Sequence, residues 1–159
     1  MKLEDKIVRL LREKELVMAC AESCTGGLIA KRITDVSGSS AVFNCCVVSY
    51  SNDIKEKVLG VSHETLVQFG AVSEQTVREM VSGVLKLSGA NVAVAVSGIA
   101  GPNSDNTEKP VGLIYIAASD GTQTIVKRLN NHFDNDVRNN NRTSAADEAL
   151  NMMISLIGD

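Results

Sequence analysis

The stretch LVMACAESCTGGLIAKRITDV, Leu16–Val36, begins as an apolar run and ends with the apolar spacing of a helix. Between these halves lie a carboxylate, a hydroxyl, a thiol and two adjacent glycines. A strand that hands over to a helix through a polar, glycine-bearing turn is the unit from which α/β folds are built. The helix is expected to open near Thr25, with Gly26 and Gly27 giving a tight turn and close approach to a ligand.

The same alternation continues outward. Ile7, Leu10, Leu11 and Val17 predict an amphipathic helix ahead of this strand. VFNCCVVSY, Val42–Tyr50, is nearly unbroken in apolar residues and reads as a strand buried on both faces. DIKEKVLG and HETLVQFG each read as a short helix closed by glycine. Ser73 caps a longer helix whose Val77, Met80, Val81, Val84 and Leu85 form one buried stripe. NVAVAV is the next strand, VGLIYIAA and TQTIVKRL pair around the turn SDGT, and a final helix turns Ala149, Met152, Met153 and Leu156 inward. The order predicts an α/β fold, one domain over residues 1–159, with a mixed β-sheet and helices on both faces in a three-layer sandwich.

Composition narrows the function. A chain of 159 residues with net charge −3 and no Trp lacks the basic stripe and stacking platform of a nucleic-acid binder. No membrane-spanning window or secretory leader is visible, so a cytoplasmic protein is expected. Asn141 opens an NRT glycosylation triplet that such a protein would not use. Cys20, Cys24, Cys45 and Cys46 have no zinc-ligand spacing and read as reduced thiols, with Cys45 and Cys46 facing opposite sides of their strand.

Three polar clusters follow predicted strands: ESCTGG, SYSN and SGIAGPNSDNTEKP. In open α/β sheets, sites gather beyond the carboxyl ends of strands. Ser23 is a candidate nucleophile, while Ser23 or Thr25 acting as a helix cap is the plainer alternative. His63 and His132 fall outside the clusters, so a histidine-based triad has no support. Lys55 and Lys57 remain as bases; a lysine working at neutral pH needs its pKa lowered by about three units, roughly 4 kcal/mol, which burial can supply. Tyr50 is placed to relay or orient a proton. Cys24 is a competing nucleophile without a histidine partner. Ser97, Gly98, Gly101 and Gly112 belong to a long loop of the kind that serves sites. Arg138 and Arg142 share a helix face and either clamp an anion or form a solvated surface.

AESCTGGLIAKRITDVSGSS, VVSYSNDIKEKVLGV, GAVSEQTVREM and SGIAGP…TEKPVG, in this order, resemble the CinA carboxyl-terminal domain family, from Lys6 to Ile157. The resemblance implies the stand-alone form of that family, a nicotinamide-nucleotide amidohydrolase. Such an enzyme converts nicotinamide mononucleotide to nicotinate mononucleotide and ammonia without metal or other cofactor. It implies Ser23, Tyr50 and Lys55 as catalytic residues, with Thr25, Gly26, Gly27, Ser97, Gly98, Gly101 and Arg138 around the substrate. Family members often carry threonine at the position of Ser97. They usually place arginine four residues after a phenylalanine, with a glycine between; here Phe133 precedes Arg138 by five, and Asn135 stands for the glycine. A homo-oligomer, dimer or higher, is also implied. The alternative from another class is a non-catalytic nucleotide-binding regulatory module linked to competence or a DNA-damage response.

Overall fold

The computed structural model describes residues 1–158. Its helices are α1 (Leu3–Glu13), α2 (Leu28–Thr34), α3 (Asn52–Leu59), α4 (His63–Phe69), α5 (Glu74–Ser88) and α6 (Val137–Ile157). Its strands are β1 (Met18–Glu22), β2 (Phe43–Val48), β3 (Val92–Gly98), β4 (Leu113–Ser119) and β5 (Thr124–Asn130). They form one sheet in the order β2-β1-β3-β4-β5. β2, β1 and β3 run parallel, and β4 and β5 return antiparallel as the hairpin read from SDGT. The predicted mixed α/β sandwich is the observed one.

The pleat divides two cores. Met18, Cys20, Val92, Val94, Val96, Ile114 and Ile116 face α1, α2 and α6, while Ala19, Ala21, Ala93, Ala95 and Ala117 face α3, α4 and α5. The alanine face lets α5 lie close to the central strands. Gly83 on α5 does the same for α3: a Cβ there would fall 1.8 Å from the Leu59 carbonyl oxygen. Cys45 and Cys46 point into different cores, as expected.

Three local expectations change. β2 is an edge strand rather than a strand buried on both faces, with Asn44 and Val48 exposed. Among the described residues only β1 pairs with it, so one of its margins is hydrogen-bonded within the sheet and the other has no strand partner. Val17 lies beyond the first helix, its N–H donating to Asn91 Oδ1 at 2.8 Å. α2 starts at Leu28 rather than near Thr25, because Gly26 (φ +58°) and Gly27 (φ +98°) hold left-handed turns before it. Among the described residues, no helix is long and apolar enough to cross a membrane.

Candidate active site

The turn between β1 and α2 exposes Ser23 because another residue caps the helix. Glu22, fully buried at the end of β1, accepts Ile29 N–H at Oε1 and Ala30 N–H at Oε2, each at 3.0 Å. A carboxylate there satisfies two orphan donors and meets the positive end of the helix. Neither Ser23 nor Thr25 is the cap, so the capping alternative fails and the Ser23 hydroxyl is left for other work.

Lys55 reaches that hydroxyl from the other side of the crevice. Ser51 caps α3 by accepting Ile54 N–H, which sets the helix so that Lys55 turns inward one turn later. Lys55 is only 2% exposed, and its Nζ donates to Ser49 O at 2.7 Å and lies 3.1 Å from Ser23 Oγ. Burial lowers its pKa from 10.5 to about 8. A neutral amine so placed keeps one N–H on the Ser49 carbonyl and can direct its lone pair at the serine proton. Ser49 is itself tied down, its N–H donating to Glu22 O at 2.8 Å. The sequence reading did not assign Ser49, since a backbone carbonyl has no residue-type signature. Lys57 points away, exposed and paired with Asp53.

A cavity of about 260 Å³ opens over this pair, lined by Ser23, Cys24, Lys55, Tyr50, Ser97 and Arg138, among others. Gly98 and Gly101 line it too, whereas Thr25, Gly26 and Gly27 do not. Gly26 N–H is spent within the turn, on Ser23 O at 3.0 Å, and Thr25 is fully buried. Ser97 is 1% exposed, and its hydroxyl makes no hydrogen bond among the described residues. The loop that carries Gly101 is anchored by Lys109, whose Nζ donates to Phe69 O and Val72 O at 2.5 and 2.6 Å. Asn52, Asn103, Ser104 and Asp105 complete the polar rim; the sequence reading had not singled them out.

The two arginines separate. Arg142 donates to Cys24 O at 3.1 Å and Thr25 O at 2.8 Å, bracing the turn that carries Ser23. Arg138 is exposed at the cavity rim and donates to Gly101 O at 2.8 Å and Tyr50 Oη at 2.9 Å. Tyr50 is 61% exposed and its hydroxyl faces Arg138, so it does not bridge Ser23 and Lys55. Direct contact between that pair leaves no gap for a relay. Cys24 is buried, and burial pushes its thiol up to about 12, which leaves almost no thiolate at neutral pH. His63 and His132 are exposed, with His63 paired to Glu56.

Comparison with known proteins relates the whole chain to a family. A CinA-like protein of Kosmotoga olearia is 44% identical over 156 residues, 98% of this chain and 38% of that protein. The nicotinamide-nucleotide amidohydrolase PncC of Enterobacter agglomerans is 54% identical over 128 residues, 79% of this chain and 78% of that enzyme. The chain spans about a third of the length of the first curated relatives it matches, from 31% to 38%. The crystal structure of competence/damage inducible protein CihA from Agrobacterium tumefaciens superposes with a TM-score of 0.93 at 42% identity, covering 98% of this chain and 94% of that one. A CinA superfamily protein from Klebsiella pneumoniae superposes with a TM-score of 0.92 at 32% identity, covering 98% and 95%. The CinA C-terminal domain profile matches residues 1–157, and the chain belongs to the CinA C-terminal domain family.

Proposed function

We propose that this protein hydrolyses the carboxamide of nicotinamide mononucleotide, giving nicotinate mononucleotide and ammonia, with Ser23 as nucleophile and Lys55 as base. The observation that carries the reading is the buried Lys55 amine 3.1 Å from Ser23 Oγ at the floor of a cavity. The 54% identity to an enzyme named for this reaction supports the substrate class.

In this mechanism the neutral amine takes the Ser23 proton as Oγ attacks the carboxamide carbon. The oxyanion that develops faces the cavity side of the SGIAGP loop, where the unengaged Ser97 hydroxyl is a candidate donor. The resulting ammonium returns its proton to the departing nitrogen, and ammonia leaves an ester on Ser23. Water then attacks the ester, giving one proton to Lys55, which passes it to the departing Ser23 oxygen; the acid formed gives its remaining proton to solvent and departs as the carboxylate. Among the described residues the buried amine contacts only the neutral Ser23 hydroxyl and Ser49 carbonyl and makes no ion pair, which leaves its proton free to move at each turn. Arg138 at the rim meets the phosphate, and Tyr50 orients Arg138 rather than carrying the proton. The groups that do this work are a hydroxyl, an amine and fixed dipoles.

The test is ammonia release from nicotinamide mononucleotide by purified protein, with nicotinate mononucleotide identified as the second product. Turnover with both products supports the reading. Calorimetric binding of the nucleotide with no product over hours would instead support a non-catalytic regulatory module. Preferential turnover of a different small amide in a substrate panel would keep the chemistry and replace the substrate. Light scattering addresses the expected homo-oligomer separately.

A further inference from the structure

Cys20, Glu22 and Cys46 take no part in the chemistry above, yet their ligating atoms converge. Cys20 and Glu22 sit two apart on β1 and so share a face of the sheet, and Cys46 on β2 is the register partner of Cys20. Cys20 and Glu22 are fully buried, and Cys46 is half-buried on the edge strand. The Cys20 and Cys46 sulfurs lie 3.7 and 3.3 Å from Glu22 Oε2, and all three atoms fall within 4.8 Å of one another. Around a tetrahedral zinc ion, metal–sulfur bonds of about 2.3 Å and metal–oxygen bonds of about 2.0 Å hold sulfur and oxygen about 3.5 Å apart. The two observed separations bracket that edge length.

Three further features suit an ion. Two thiols and a carboxylate form a donor set that favours zinc over calcium or magnesium. The carboxylate is already aimed by Ile29 and Ala30 N–H groups, the outer-shell support that metal-bound carboxylates need. Cys46 gives a path of entry at the margin of the sheet.

We propose that Cys20, Glu22 and Cys46 bind a thiophilic divalent cation of the zinc kind, with solvent completing the coordination from the Cys46 side. On binding, both thiols lose their protons to solvent, two metal–sulfur bonds and one metal–carboxylate bond form, and the aqua ion sheds waters; no electrons are transferred. Neither Glu22 nor Cys46 lines the catalytic cavity, so the ion ties β1 to β2 beneath the nucleophile turn and takes no part in amide hydrolysis.

The experiment uses the full chain, kept reduced with a phosphine and freed of metal, then titrated with zinc chloride against a chromophoric chelator and with cobalt(II) by absorption. The expected result is one equivalent of either metal, a thiolate-to-cobalt charge-transfer band in the near ultraviolet, and a thermal midpoint that rises with zinc. Cys46→Ser and Cys20→Ser should each cut the band by at least half and weaken zinc binding at least about tenfold. Cys45→Ser, whose thiol faces the opposite core, should leave both unchanged. Binding that is unaffected by Cys46→Ser and Cys20→Ser would overturn the proposal. So would the absence of the cobalt band in the wild-type chain, which decides the matter even if the variants fail to fold.

Discussion

Replacing Lys55 with methionine should remove activity and at the same time change how stability responds to pH. The side chain is 2% exposed and its pKa is lowered from 10.5 to about 8. That shift corresponds to about 3 kcal/mol by which the folded state disfavours the ammonium. Below the folded value, the amine is protonated in both folded and unfolded chains, so the full penalty applies. Between the folded and unfolded values, the unfolded chain holds a proton that the folded chain has lost, and stability must rise with pH. Wild-type stability minus that of Lys55→Met should therefore climb by about 3 kcal/mol from neutral pH to pH ~10.5, the group's unfolded value. At neutral pH the variant is relieved of the buried charge but leaves the Ser49 carbonyl unpaired, at about 1–3 kcal/mol. The variant should then match or exceed the wild type by up to about 2 kcal/mol while hydrolysis falls away. Urea unfolding of both proteins across this pH range reads the difference, and the subtraction cancels the other titrating groups. A flat difference curve would show that the Lys55 amine is unperturbed, and the base would have to be sought elsewhere.

Other outcomes follow from the same geometry. The kcat/KM for amide hydrolysis should rise about tenfold per pH unit and level off near the Lys55 value of about 8, since only the neutral amine accepts the serine proton; a profile flat from acid to neutral pH would contradict this. Arg138→Met should raise KM for the mononucleotide by about 10–100-fold with a smaller change in kcat, and should matter little for the corresponding nucleoside without phosphate. Gly83→Ala would drive a methyl group against the Leu59 carbonyl and push α5 from α3, the helix that carries Lys55. It should lower stability by about 1–3 kcal/mol or more in thermal unfolding, with activity falling alongside.

The layers of this fold are written in local patterns that a sequence reader can follow. The stripe from Val77 to Val84 sets α5, and NVAVAV sets the central strand β3. The polar clusters after β1, β2 and β3 do meet at one crevice, because parallel strands bring their carboxyl ends to the same side. What escaped the reading depends on distant partners. The edge position of β2 follows from sheet order, which the apolar run at Phe43–Val48 does not encode. Glu22 caps a helix through N–H groups seven and eight residues ahead of it, outside the usual window in which a cap lies next to its helix. Tyr50 precedes Lys55 by one turn's worth of chain, and that nearness suggested a shared proton path. Its hydroxyl instead meets Arg138 on a helix 88 residues later. Arg142 and Arg138, indistinguishable by spacing, part ways only because one lies under the Cys24–Thr25 carbonyls and the other at the cavity rim.

In the proposed reaction the Ser23 hydroxyl is the atom that attacks the amide. Ammonia release from nicotinamide mononucleotide by Ser23→Ala, compared with wild type in protein shown to be folded by circular dichroism, tests that claim most directly. Turnover should fall by at least about a thousandfold, the loss expected when a covalent nucleophile is removed. Activity within tenfold of wild type would contradict it and move the attacking group to another atom of the cavity.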